Sequence, residues 1–337
     1  MKRLIALFLA LVMALSLVAC GNKDEEPKEP ESEPMKVAFV FPYALDSMAW
    51  LTTLSGNLAK YDEEHDNVEF KVVEATDANQ YEPVLRSFCE SNYDVVFSAF
   101  NNFTEAICKL AKEYPDVKFG SMEGRIPDIE SYENVCEFQF GRDLEFVSGY
   151  VAALYSKTGK VGFIAGGDIA ASEEILAAFE QGVEYANNGC EVLVAFTNTY
   201  TDATVGREMT MSLIDKGVDV FFGTSGGAEA GILQACKETG KATYIADDTT
   251  YEKDYAGIEL CHTRVSSIIL FEQIVEEVAS GNFKGGICMR PGPETGVEVF
   301  NVSEGSPLPQ EIIDKADEAV KKVTNGEVKV TLVPIHK

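Results

Sequence analysis

YDVVFSAFNNFTEAICKLAKEYPDVKF, residues 93–119, decides the fold. Tyr93–Ser98 is a short run of β-branched and aromatic residues, which reads as a strand. It is too apolar to alternate, so both of its faces are covered. A helix follows from about Phe103 to Glu113, and a second apolar strand runs from Val117 to Ser121. A strand, a helix and another buried strand in succession make a unit of parallel sheet with helices on both faces.

The same rhythm extends in both directions. Lys36–Phe41, Val68–Val73 and Asn134–Phe138 read as further strands, with helices at Leu51–Tyr61 and Tyr81–Ser91. It then restarts. Helices are expected at Asp143–Ser156, Glu173–Asn187, Asp202–Lys216 and Ala228–Thr239. Strands are expected at Lys160–Ala165, Glu191–Phe196, Val218–Gly223 and Ala242–Ala246. After Asp248 come a strand at Gly257–Cys261, a long helix at Ser266–Ser280 and a tail with one helix from Pro309 to Thr324. YDVVFSAF and VDVFFGTS each precede a helix, a weak internal repeat that fits two similar lobes. Roughly 300 residues of this pattern suit two α/β domains better than one.

The N-terminus has a different composition. Lys2 and Arg3 precede the apolar run Leu4–Val18, and Leu17-Val18-Ala19-Cys20 carries small residues before a cysteine. This predicts a lipoprotein signal peptide over 1–19 and lipid on Cys20, or else a plain secretory signal. Residues 20–34 are acidic and broken by Pro27, Pro30 and Pro34, with little apolar surface to bury. They read as a tether that holds the domain off the membrane, on its extracytoplasmic face.

The formal net charge of −27 argues against nucleic-acid binding, which needs a basic face. Cys89, Cys108, Cys136, Cys190, Cys236, Cys261 and Cys288 are odd in number and form no CxxC pair, so they read as free thiols. His65, His262 and His336 have no paired spacing, and neither a metal nor a cofactor is expected.

In open parallel sheets, ligands sit outside the carboxyl ends of the strands. Two such sheets facing each other make a cleft, and the loops after strands hold the candidate site. FPYALDSMAW places Tyr43, Asp46 and Trp50 there. An aromatic face beside a carboxylate can stack on a planar base and accept its hydrogen bonds, or Asp46 can cap a helix with Trp50 packed beneath it. The loop Ala99–Phe103 contributes Phe103. TNTYTD offers Tyr200 as a second aromatic wall, with Asp202 either in the site or capping a helix. In TSGGAEAG, Gly226 and Gly227 let backbone approach a ligand or offer helix N–H groups to an oxygen, but the Lys-Ser/Thr of a P-loop is missing. YIADD ends on Asp247 and Asp248, one of them an acceptor for a pair of hydroxyls or both part of a turn. Arg264 is expected to complete a polar wall. No nucleophile elbow is present, so capture rather than catalysis is expected.

Three segments carry a resemblance: residues 93–119, SGYVAALYSKTGKVGFIAGGDI and VAFTNTYTDATVGREMTMSLIDKGVDVFFGTSGGAEAGILQACKETGK. They resemble the basic membrane protein family of substrate-binding lipoproteins, from about Lys36 to Gly281. The resemblance implies a type I periplasmic-binding-protein-like fold, two doubly wound parallel-sheet lobes joined by three crossovers around a cleft. The lobes are expected at 35–141 plus 250–285 and at 142–249 plus 286–337. It implies a nucleoside, purine favoured, handed to an ABC transporter permease. The base would stack between Trp50 (or Tyr43) and Tyr200, with the sugar on Asp247 and with Asp46 from the family's first-loop Asn-Asp pair. Leu45 stands in place of that Asn, Ala49 in place of the family aromatic, and Thr263 in place of a sugar-holding lysine. The alternatives are the same fold with a sugar or small signal molecule, and a surface enzyme acting on nucleosides or sugars.

Overall fold

The computed structural model describes residues 34–47, 49–247, 251 and 253–332. The expected leader, Cys20, the tether up to Glu33, Asp248 and the side chain of Trp50 lie outside the described residues.

Among the described residues, twelve strands are arranged in two six-stranded sheets. The first sheet contains β1 (Met35–Phe41), β2 (Val68–Glu74), β3 (Val95–Ala99), β4 (Lys118–Met122), β5 (Val135–Phe138) and β11 (Ile287–Met289). Its order is β11-β5-β4-β3-β1-β2, and every neighbouring pair is parallel. The second contains β6 (Lys160–Ala165), β7 (Glu191–Phe196), β8 (Val220–Thr224), β9 (Thr243–Asp247), β10 (Glu259–Val265) and β12 (Glu298–Val302). Its order is β12-β10-β9-β8-β6-β7, parallel except for the antiparallel edge strand β12.

Around the first sheet lie α1 (Ala49–Glu64), α2 (Tyr81–Glu90), α3 (Thr104–Glu113) and α8 (Ser267–Ala279). Around the second lie α4 (Glu145–Tyr155), α5 (Ala170–Tyr185), α6 (Ala203–Asp215), α7 (Glu229–Thr239) and α9 (Gln310–Thr324). Each sheet has apolar cores on both faces, as buried parallel strands require. Phe39, Phe97 and Phe271 pack on one face of the first sheet, while Ala38, Val40 and Val96 face Ile107 and Leu110 on the other. In the second lobe α4 and α5 touch backbone to backbone. A Cβ on Gly149 would lie 1.9 Å from the Phe179 carbonyl oxygen, and one on Gly182 would lie 1.8 Å from that of Phe146. Only glycine permits that approach.

Within the described residues the chain crosses between lobes three times: between β5 and α4, between β10 and α8, and between β11 and β12. The last two crossings correct the expected boundaries. The strand expected to open the first lobe's second segment is β10, which pairs with β9 and β12 in the second sheet. The tail assigned to the second lobe contributes β11, which pairs with β5 in the first. Local residue pattern identifies a strand but carries no information about which sheet it joins.

Each strand order reverses at one point, β1/β3 in the first lobe and β6/β8 in the second. Crevices form at such points, and here they face each other.

Candidate functional site

The interlobe cleft has a volume of about 290 Å³. Its first-lobe wall is aromatic. Tyr43, just beyond β1, is 36% exposed, and Phe100, just beyond β3, stands edge-on to it with ring centroids 5.8 Å apart and an interplanar angle of 63°. Phe100 has φ 68° and ψ 167°, a region that is otherwise almost confined to glycine. Its N–H donates to the Met122 carbonyl at 2.6 Å, which ties the strained residue to β4.

The second-lobe wall is Tyr200. Its ring lies against the backbone of Gly166, where an added Cβ would fall 2.2–2.6 Å from three ring carbons. Burial pushes the Tyr200 phenol above its ordinary pKa, a bond with the Ser172 hydroxyl opposes this, and Tyr43 adds to the rise. Both tyrosines line the same cleft.

The polar end is rich in carboxyl groups. Asp247, the last residue of β9, is 8% exposed, and its Oδ1 has no regular hydrogen-bond partner. Burial raises its pKa, while the Arg142 guanidinium and then the side chains of Thr224, Glu145 and Thr263 pull the other way. Thr263 on β10 is in register with Asp247, and its hydroxyl, like that of Thr224, stands beside the Asp247 carboxyl. Glu229, the first residue of α7, is buried. Its Oε1 accepts from the N–H of Ser225 (2.9 Å) and of Gly226 (3.0 Å), and its Oε2 accepts from the Tyr244 hydroxyl (2.9 Å). Burial first, and then Asp247, pushes its pKa up to about 8. Beneath them Glu298 is raised to about 7, mainly by burial, and Glu145 is raised by burial and by Glu298. Arg142, 6% exposed, lies over the Phe140 ring at 5.2 Å. Aromatic walls above buried carboxyl groups, with Arg125 and Arg142 also in the lining, suit a flat ligand that carries hydroxyls.

Tyr43, Tyr200, Gly226 and Asp247 are thus brought together in one cleft. Gly226 and Gly227 offer no free N–H. The first donates to Glu229, and the second donates to the Tyr200 carbonyl at 2.8 Å. The tight neighbour at Gly227 lies within its own lobe: a Cβ there would fall 3.2 Å from the Tyr200 carbonyl oxygen, and an ordinary 3.6 Å from that of Ser47. Asp46 is exposed and outside the lining. Asp202 caps α6, its Oδ1 accepting from Thr204 N–H at 2.8 Å. Two expectations are corrected. Phe103 is fully buried, its ring 4.6 Å from that of Tyr81, in the core beneath α3; Phe100 takes its place at the cleft. Arg264 is exposed and lines a separate groove of about 360 Å³ with Lys60 and Glu64, which shares no lining residue with the cleft.

Phe140, Arg142 and Glu229 were not singled out by sequence. For Glu229 a signal existed: a lone acid in the small, apolar run GGAEAGIL, which only a buried, hydrogen-bonded carboxyl satisfies. The fold also brings a serine to His262. Ser303 Oγ lies 3.2 Å from Nδ1 and donates to Glu259 Oε1 at 2.6 Å. Glu259 Oε1 approaches the same ring nitrogen at 3.3 Å. A hydrolytic relay needs serine and carboxylate on opposite ring nitrogens, so this buried triangle is packing rather than a nucleophile. Among the described residues no group of three His, Cys, Asp or Glu side chains is placed to hold a metal.

A family model described as ABC transporter substrate-binding protein PnrA-like matches residues 35–332. Basic membrane protein D of Borreliella burgdorferi is 24% identical over 94% of this chain and 92% of that protein. A CD4+ T-cell-stimulating antigen of Listeria innocua is 24% identical over 99% of both chains. In fold, the chain is similar to a solute-binding protein of an ABC transporter system from Aeropyrum pernix, with TM-score 0.76 and 20% identity, covering 90% of this chain and 95% of that one. It is also similar to a periplasmic solute-binding protein from Actinobacillus succinogenes with bound D-allose, with TM-score 0.60 and 11% identity, covering 83% and 99%.

Proposed function

The chain belongs to the family of PnrA-like ABC transporter substrate-binding proteins, and from that premise we propose that it carries a nucleoside, purine favoured, to an ABC importer. The observation that carries this reading is the pairing of Tyr43 and Phe100 with Tyr200 across one cleft that has an unpartnered, buried Asp247 Oδ1 at its end. The base stacks between the aromatic walls, and the ribose hydroxyls donate to Asp247. A hydrogen bond to a charged group contributes about 1.5–3 kcal/mol where the alternative is an unpaired buried oxygen. Lobe closure shields the ligand from water, and the permease reads the closed form. Lipid on Cys20 holds the carrier at the outer face of the cell membrane. Cys20→Ser should move the protein from the membrane fraction to the medium, and retention on the membrane would remove the lipid from the account.

A second reading, a hexose in the same cleft, is favoured by the carboxyl-rich floor, which suits several hydroxyls. The Actinobacillus solute-binding protein of this fold has D-allose bound. Native mass spectrometry of residues 35–337 separates the two. A carried nucleoside mass supports the first reading and a sugar mass the second. Conversion of nucleoside on prolonged incubation would overturn both in favour of an enzyme.

A further inference from the structure

At one edge of the cleft the lobes are joined by charge. Glu174 stands on α5 of the second lobe, 13% exposed. Its Oε1 accepts from Arg125 Nη1 at 3.0 Å and its Oε2 from Arg125 Nη2 at 3.2 Å, a two-pronged pair. Arg290, the residue after β11 where the chain leaves the first lobe, reaches Oε1 at 3.3 Å. One carboxylate of the second lobe therefore grips two arginines on the first lobe's side. Two-pronged arginine pairs fix geometry as well as charge.

The loop that presents Arg125 is held in an unusual conformation. In MEGRI, residues 122–126, Glu123 (φ 55°) and Arg125 (φ 56°) are both left-handed without being glycine. The buried carboxylate of Glu137 holds the turn, accepting from Arg125 N–H at 2.9 Å and Ile126 N–H at 2.7 Å. Glu123 accepts from Phe140 N–H at 2.5 Å. Such backbone persists only where its surroundings over-determine it, and it gathers at working parts of proteins. What this loop delivers is a guanidinium that lines the cleft and reaches across to Glu174.

We propose that Glu174 is the catch of an interlobe clasp that, by gripping Arg125 and Arg290, holds the lobes shut over the cleft and slows ligand escape. This rests on the reading that the ligand sits in this cleft, but not on the ligand being a nucleoside. Arg125 and Glu174 stand on different lobes, so opening of the cleft would part them, and loss of the pair would act on dissociation more than on association. The pair is partly exposed, so salt weakens it.

The test uses the full chain, wild type and Glu174→Gln, with inosine as probe. Stopped-flow dissociation should be about tenfold faster in the variant, with association unchanged within about twofold. Arg290→Gln should fall between them. Arg125→Gln combined with Glu174→Gln should be no faster than the faster single variant, because both remove the same grip. Small-angle scattering of ligand-free protein supplies a readout independent of inosine. Glu174→Gln should be expanded at about 50 mM salt, and wild type only toward about 500 mM. Wild-type dimensions in Glu174→Gln at both salt levels overturn the clasp, as do additive effects on dissociation. If inosine fails to bind wild type, the nucleoside reading falls, and scattering alone decides the clasp.

Discussion

Replacing Gly166 with alanine should displace Tyr200 without altering it. Gly166 does not have a positive φ, so alanine adds no backbone strain there, and the whole effect is steric. The new Cβ would lie 2.2, 2.5 and 2.6 Å from three ring carbons of Tyr200. No real contact is that short, so the ring must swing off the cleft wall. A face-to-face aromatic contact with a base contributes about 0.5–1.5 kcal/mol beyond burial. A ring face covering about 50 Å² adds about 1 kcal/mol at 25 cal/mol per Å². The combined loss of about 2 kcal/mol weakens Kd about thirtyfold. Isothermal titration with inosine measures it. Gly167→Ala is the control, because its Cβ would lie an ordinary 3.5 Å from the Tyr200 hydroxyl, and it should bind as wild type does. Equal affinity of the two alanine variants, alongside a large loss in Tyr200→Ala, would refute the seating of the ring on Gly166. Unchanged affinity in Tyr200→Ala as well would reject the aromatic wall itself.

Phe100→Gly removes a strained residue and a wall of the cleft together. Relief of about 1–3 kcal/mol should hold or raise Tm while inosine affinity falls; a lower Tm with intact affinity contradicts this placement. Arg264→Ala should leave inosine affinity within about twofold, since Arg264 lines the separate groove, and a tenfold loss by titration would return it to the cleft. The pH profile of Tm tests the buried carboxyls. Burial raises the pKa of Glu298 to about 7 and that of Glu229 to about 8, above their ordinary value. The stability their protonated forms contribute is therefore full below the ordinary carboxyl range and is lost as pH rises through about 7 and 8. Calorimetry should show Tm falling from about pH 5.5 to 8.5, with a shallower fall in Glu298→Gln, and a flat wild-type profile would show these groups ionised throughout.

The layering of the fold was legible because buried parallel strands leave a plain mark: Val95–Ala99 is covered on both sides, and its residues read accordingly. Tyr43, Tyr200 and Asp247 were reachable for the same reason, since strand ends point to the crevice. Phe103 was misplaced because the chain turns at Phe100 through a conformation that residue type does not announce, and this sends one ring outward and the other into the core. Arg264 was misplaced through strand length. With the strand read as ending at Cys261, the alternation beyond it was lost. Once β10 runs to Val265, Thr263, in register with Asp247, and Arg264 must fall on opposite faces. Phe140 and Arg142 follow β5 on the first crossing, and only the packing of two sheets brings them beside Asp247.

The three crossings also govern when this protein can become a folded one. A chain that emerges amino end first has β1–β5 long before α8, whose Leu270, Phe271 and Ile274 complete the apolar layer over Phe39 and Phe97. The second sheet likewise waits for β12. A chain ended before Ser267 leaves both sheets short of an edge strand and the Phe39 face covered by α1 alone, so neither lobe has a finished core to fold around. Lobes made of contiguous sequence would fold one after the other during synthesis. These two mature together, late, from a chain that stays open until nearly all of it is made.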